Sequence, residues 1–316
     1  MHFEKLTGLV AATHTPLNED GSLNPEAVEE QAAHLTAQGV SGAFIAGTTG
    51  EGHSLSVAER KALANRWAAS GTPLKLVVHV GHNCLPDAQD LAAHAQAIGA
   101  DGIAALAPSY FRPADVKALV DWCAAIAERA PDLPFYFYDI PALTGVVLPM
   151  VEFLQLAGDR IPNLTGIKYT NSDLATLQRC LAVDDGRYDI LFGCDEALLA
   201  GYSLGCRGAV GSSYNFAAPV YHQVITAFEN GDLETARLWQ NRSAEMISVI
   251  AGHGYGAAAK SVMQLIGVDC GPVRQPLTRI TPGNVNRLQN ELKQLGFFEW
   301  LNTDPARSPS LCAVAG

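Results

Sequence analysis

Eight short apolar runs recur along the chain, at residues 6–15, 40–47, 74–81, 102–107, 134–141, 164–170, 189–195 and 208–214. Most are followed by an amphipathic stretch of helical period. Most are also continuously apolar rather than alternating, which is what a parallel strand covered on both faces requires. The punctuation between them agrees. Asn24-Pro25 offers a capping side chain before a proline at a first helical position, and Ser56-Val-Ala-Glu59 has the form of a capping box. Gly39, Gly99 and Gly205 each stand after a helical stretch and before a strand. Strand then helix, repeated eight times, predicts an α/β fold, a (β/α)8 TIM barrel. About a hundred residues follow the eighth strand. Residues 220–229, 233–251, 256–266 and 282–295 read as helices, which is more than a barrel needs. The expected organisation is therefore a barrel over 1–217 and a C-terminal helical extension over 218–316, packed on the barrel and not independent. Residues 308–316 are small and polar enough to be loosely ordered.

At 316 residues and 48% hydrophobic content the chain can bury a core of this size. A net charge of −11 argues against a nucleic-acid or acidic-membrane partner. The 7 cysteines are odd in number and scattered, as reduced core thiols are, so no disulfide framework is expected. The N-terminus runs straight into Leu6-Thr-Gly-Leu-Val10 without the three regions of a signal peptide, and no apolar stretch reaches membrane-spanning length. A cytoplasmic protein is expected.

On a barrel the loops after the strands open onto one face, where chemistry collects. Lys168 ends the sixth run in Gly166-Ile-Lys168, and Tyr138 ends the fifth. A buried ammonium must be paired, shifted or used covalently. An amine nucleophile beside a phenol suits Schiff-base chemistry, the phenol shuttling protons. Taken singly, Lys168 reads better as a strand-end lysine reaching for solvent and Tyr138 as a core aromatic. It is their placement with the Gly47–Glu51 loop on strand ends of one barrel that favours chemistry. Gly47-Thr48-Thr49-Gly50-Glu51, after the second strand, can present N–H groups and hydroxyls to a carboxylate, or can simply be a turn. Asp195 and Glu196 after the seventh strand, with Ser212 and Ser213 after the eighth, suit a polyol. The two acids also suit the start of the next helix. His79, His82 and Cys84 look at first like metal ligands. Three-residue spacing at a strand end turns the two rings apart, and no further histidine completes a set, so no metal is expected.

With these residues placed, the chain resembles the pyruvate-dependent class I aldolases, the family that includes dihydrodipicolinate synthase and N-acetylneuraminate lyase. The resemblance runs from Leu6 to about Leu277 and rests on Gly47-Thr-Thr-Gly-Glu51, Tyr138-Asp-Ile-Pro141, Gly166-Ile-Lys168, Phe192-Gly193 and Gly211. It implies that Lys168 attacks a substrate C2 carbonyl, that Tyr138 relays a proton at the C4 hydroxyl, and that Thr48 and Thr49 hold the carboxylate. Thr170, Gly193, Asp195, Glu196 and Ser212 would hold the sugar side. Tyr110 matches an aromatic that relatives project across a subunit interface, and relatives are tetramers. No cofactor is implied.

The lyase branch fits best, because Leu143 stands where the synthase branch usually carries an arginine for its substrate carboxylate. The implied substrates are then N-acetylneuraminate, pyruvate and N-acetylmannosamine. Asp139 replaces a common asparagine, and Ser213 a common threonine. The rival readings are a synthase or keto-deoxy sugar-acid aldolase on the same scaffold, and a non-catalytic pyruvate or sugar sensor, in which the lysine or the tyrosine would be expected to be missing.

Overall fold

The apolar runs close into one parallel barrel in the computed structural model, which describes residues 3–302. The expectation of loose order at 308–316, and Cys312, lie outside the described residues. The strands are β1 (Gly8–Ala12), β2 (Gly42–Ile45), β3 (Lys75–His79), β4 (Gly102–Leu106), β5 (Phe135–Asp139), β6 (Leu164–Tyr169), β7 (Asp189–Phe192) and β8 (Gly208–Gly211), joined in sequence order with β8 returning to β1. Each falls inside a predicted run. The continuous apolarity has its expected cause. Val10, Phe44, Val77, Leu106, Tyr136 and Leu191 fill the interior, while Leu9, Ile45, Val78, Phe137 and Ile167 belong to the shell between sheet and helices. Phe137, for example, packs on Phe153 of the helix Met150–Arg160 with ring centroids 4.7 Å apart.

The local signals are mostly as read. Gly39, Gly99 and Gly205 have positive φ. Ser56 Oγ accepts from Glu59 N–H, and Glu59 accepts from Ser56 N–H at 2.8 Å. Asn24 is an exception. Pro25–Ala27 is a short 3-10 turn, and Asn24 makes no side-chain cap to it. Proline at the first position and the turn's length leave that side chain without a suitably placed N–H.

The helices after the eighth strand are Tyr214–Glu229, Leu233–Gly252, Tyr255–Leu265, Pro282–Leu295 and Phe297–Trp300. The first begins six residues earlier than the 220 expected, because Pro219 sits just after a kink at Ala217 rather than at a start. This helix is the eighth of the barrel, and the others form the extension. Among the described residues three ion pairs tie the extension to the barrel, the exposed Arg279–Glu19 pair and two that are more buried. Lys260 Nζ pairs with Glu51 at 2.9 Å and donates to Thr15 O, and Arg274 grips Glu59 through both terminal nitrogens. No helix among the described residues is long and apolar enough to cross a membrane.

Candidate active site

β5 and β6 are paired so that Tyr138 and Lys168 are direct register partners. Both side chains point inward at the carboxyl end of the barrel. Lys168 is 3% exposed, with Nζ 3.9 Å from the Tyr138 ring centroid and 4.1 Å from that of Phe44 on β2. Ring faces stabilise a cation without supplying a carboxylate to hold the proton. Among the described residues no ion pair includes Lys168. Tyr138 Oη lies 3.4 Å from Thr48 Oγ1, so phenol and β2 loop meet directly.

His79 stands behind this pair, its ring edge-on to Tyr138 at 6.0 Å. Its Nδ1 lies 3.2 Å from Ala46 O and 3.4 Å from Arg60 Nη2, so it donates to the carbonyl in one neutral tautomer and accepts from the guanidinium in the other. Burial, with the Arg60 charge second, holds the ring neutral with a pKa well below the ordinary value. Arg60 in turn donates to Gly81 O and His79 O. Thus His79 is a fixed wall, whereas His82 lies on the surface loop beyond β3. The two rings do not share a site.

A cavity of about 570 Å³ opens above Lys168. Its wall includes all nine residues expected to carry catalysis and binding: Lys168, Tyr138, Thr48, Thr49, Thr170, Gly193, Asp195, Glu196 and Ser212. Among the described residues neither Thr48 N–H nor Thr49 N–H donates to a backbone carbonyl, so both are available to an anion. The β2 loop is held from below by Glu51, which takes a left-handed backbone (φ 52°), pairs with Lys260 and accepts Arg274 N–H at 2.7 Å.

The two acids on the β7 loop part company. Asp195 is 5% exposed and accepts from Ser213 N–H at 2.9 Å and from Ser213 Oγ. Burial raises its carboxyl to about 6 against the opposing pull of these bonds. Ser213 passes the network on to Tyr221 and Ser243. Glu196 is exposed at the cavity mouth. Two glycines allow this crowding. A Cβ at Gly211 would lie 1.8 Å from Asp195 Oδ1, and one at Gly193 would lie 2.0 Å from Thr170 Oγ1. Thr170 Oγ1 is buried and has no hydrogen-bond partner among the described residues.

Tyr110 is the one expected residue outside the cavity. It is 80% exposed, its ring against Phe111 at 4.9 Å. Among the wall residues that escaped the sequence reading are His14, Ile247, Tyr255 and Leu277. His14 follows β1, and burial, with Lys260 second, lowers its pKa to about 3. A histidine in an apolar strand end was the available signal. Tyr255 Oη meets Ser212 Oγ at 2.8 Å, and Ile247 and Leu277 close the same side. These three come from the extension, and nothing in their local sequence distinguishes them from ordinary packing residues.

Residues 5–295 match the model of the dihydrodipicolinate synthetase family. The chain is 40% identical to N-acetylneuraminate lyase of Rattus norvegicus over 303 residues, 94% of this chain and 95% of the relative. It is 39% identical to the Homo sapiens enzyme of that name over 305 residues, again 94% and 95%. Among solved structures, N-acetylneuraminate lyase of Proteus mirabilis superposes with a TM-score of 0.91 at 40% identity, covering 93% of this chain and 100% of that one. The matches span the barrel, every loop of the cavity and most of the extension, so the chain belongs to the dihydrodipicolinate synthetase family.

Proposed function

We propose that this protein is an N-acetylneuraminate lyase, cleaving N-acetylneuraminate reversibly to pyruvate and N-acetylmannosamine. The observation that carries the reading is Lys168 Nζ, buried between two ring faces beside a phenol that touches the β2 loop. In this reading the neutral amine of Lys168 attacks C2 of the open-chain sugar acid, and loss of water leaves a protonated imine. Tyr138 takes the C4 hydroxyl proton while the C3–C4 bonding electrons flow into the imine. N-acetylmannosamine departs as the aldehyde, leaving the enamine of pyruvate. Protonation at C3 and hydrolysis then return the amine.

Thr48 and Thr49 hold the carboxylate in the same scheme. Glu196, Ser212, Thr170 and Gly193 face the polyol, and Asp195 supports them from beneath. Leu143, on the cavity wall and aliphatic, supplies no guanidinium for a second carboxylate, which favours the lyase over the synthase chemistry. The scheme uses neither metal nor cofactor. A cytoplasmic location, a helical extension that does not fold alone, and a tetramer in which the exposed Tyr110 reaches a neighbouring chain complete the reading.

Incubation with pyruvate and borohydride tests it. One reduced pyruvyl group should appear per chain, on the peptide containing Lys168. A different modified peptide, or efficient condensation of pyruvate with aspartate semialdehyde, would overturn the assignment.

A further inference from the structure

Outside the cavity, one loop gathers three different metal-ligating side chains. His82 and Cys84 lie on the connection after β3, and Asp87 lies in the first turn of the helix Leu85–Ala97. Their ligand atoms all lie within 4.8 Å of one another. His82 Nδ1 is 3.5 Å from Asp87 Oδ2 and accepts Cys84 N–H at 3.0 Å. The side chains of His82 and Asp87 are 29% and 43% exposed, and Cys84 is exposed, so an ion has a path from solvent.

We propose that His82, Cys84 and Asp87 form a binding site for a borderline divalent cation of the zinc class. The donor set is one imidazole nitrogen, one sulfur and one carboxylate oxygen. Magnesium and calcium take oxygen ligands, whereas zinc accepts all three types and completes a tetrahedron with water. Zinc bonds of ~2.0–2.3 Å place tetrahedral ligands roughly 3.3–3.8 Å apart. Side-chain rotation of about an ångström closes the present spacing, with the ion replacing the Cys84 N–H as partner of the His82 nitrogen.

The backbone is already set for this. Pro86 stiffens the first turn, and Asn83, between the first two ligands, accepts N–H from Ser109 and Tyr110 through Oδ1. A helix N-terminus opposes a bare cation but favours negative charge, which is the state in which a thiol and a carboxyl ligate. The two anionic ligands offset the ion's charge. Sequence spacing hid the site, because the pairing it suggested was His79 with His82. The structure buries His79 in the barrel wall and substitutes Asp87, one helical turn on.

Cobalt(II) provides the test, since thiolate ligation gives an intense near-ultraviolet charge-transfer band. Full-length protein, stripped with a chelator, should develop this band on titration and lose it when zinc(II) is added. Cys84→Ser should abolish the band. His82→Ala and Asp87→Ala should each weaken cobalt binding by at least about tenfold, as loss of a first ligand exceeds the usual effect of its supporting groups. Cys194→Ser, which removes a thiol of the cavity wall, should leave the band intact. No band in the unaltered protein, or a band that survives Cys84→Ser, would overturn the proposal. None of His82, Cys84 and Asp87 lines the cavity, so pyruvate trapping at Lys168 should be the same in their variants.

Discussion

In the proposed reaction Tyr138 and Glu196 divide the work between proton transfer and sugar binding. Tyr138→Phe keeps the ring that faces Lys168 and removes only the hydroxyl that meets Thr48. General acid–base groups contribute ~10²–10⁴-fold, so N-acetylneuraminate turnover should fall by about that factor while borohydride still traps pyruvate on Lys168. Turnover near the unaltered rate would return Tyr138 to a packing role. Glu196→Ala should raise KM for the sugar acid and leave imine trapping with pyruvate nearly unchanged, because this carboxylate stands at the cavity mouth. Asp195→Ala should behave differently despite adjacency in sequence. It strands Ser213 and its bond to Tyr221 in the interior, so it should cost about 1–3 kcal/mol of stability as well as sugar affinity. Urea unfolding of the two variants separates these outcomes.

At the scale of elements, the β2 loop owes its position to a helix far away in sequence. Lys260, on the helix Tyr255–Leu265, pairs with Glu51 where both side chains are almost fully buried, at 2% and 3% exposure. Lys260→Met would leave Glu51 as an uncompensated charge in the interior, a loss of about 3–5 kcal/mol. The same change should raise KM for pyruvate, since Thr48 and Thr49 ride on the loop that Glu51 holds. Combining Lys260→Met with Glu51→Gln removes the stranded charge and should recover much of the stability, read from urea midpoints. A single variant as stable as the unaltered protein would show that the pair does not secure the loop. The helix also explains why Tyr255 joins the wall, as it starts where that residue can reach Ser212.

For the whole molecule, stability should carry a pH signature set by burial. Asp189 closes the amino end of the barrel, accepting Tyr136 Oη–H and Leu6 N–H at 2.9 Å each, and burial lifts its carboxyl from 3.8 to about 6. A raised folded-state pKa means that the folded form holds the proton more tightly. The resulting stability is complete below about 4 and is lost as pH rises through about 6. The histidines run the other way. His14, at about 3, and His53, at about 4, are neutralised mainly by burial and favour the folded state above 6.5, an advantage lost as pH falls. Asp189→Asn isolates the first effect. It should match the unaltered protein at pH 4 and exceed it at pH 8, by an amount on the order of 3 kcal/mol. Equal melting temperatures at both pH values would remove Asp189 from the account. By itself the sequence determined the barrel, the strand positions and nine of the residues that line the cavity. Short-range pattern decides these: buried parallel strands must be apolar throughout, and lysine or paired acids at their ends break that rule visibly. Only the tertiary structure decided that Asp195 is buried against Ser213 while Glu196 faces outward, that Lys260 holds the β2 loop through Glu51, and that Tyr255 and His14 join the wall. Those roles depend on which distant surfaces meet and which charges lose water there, and neither is encoded in the spacing of neighbouring residues.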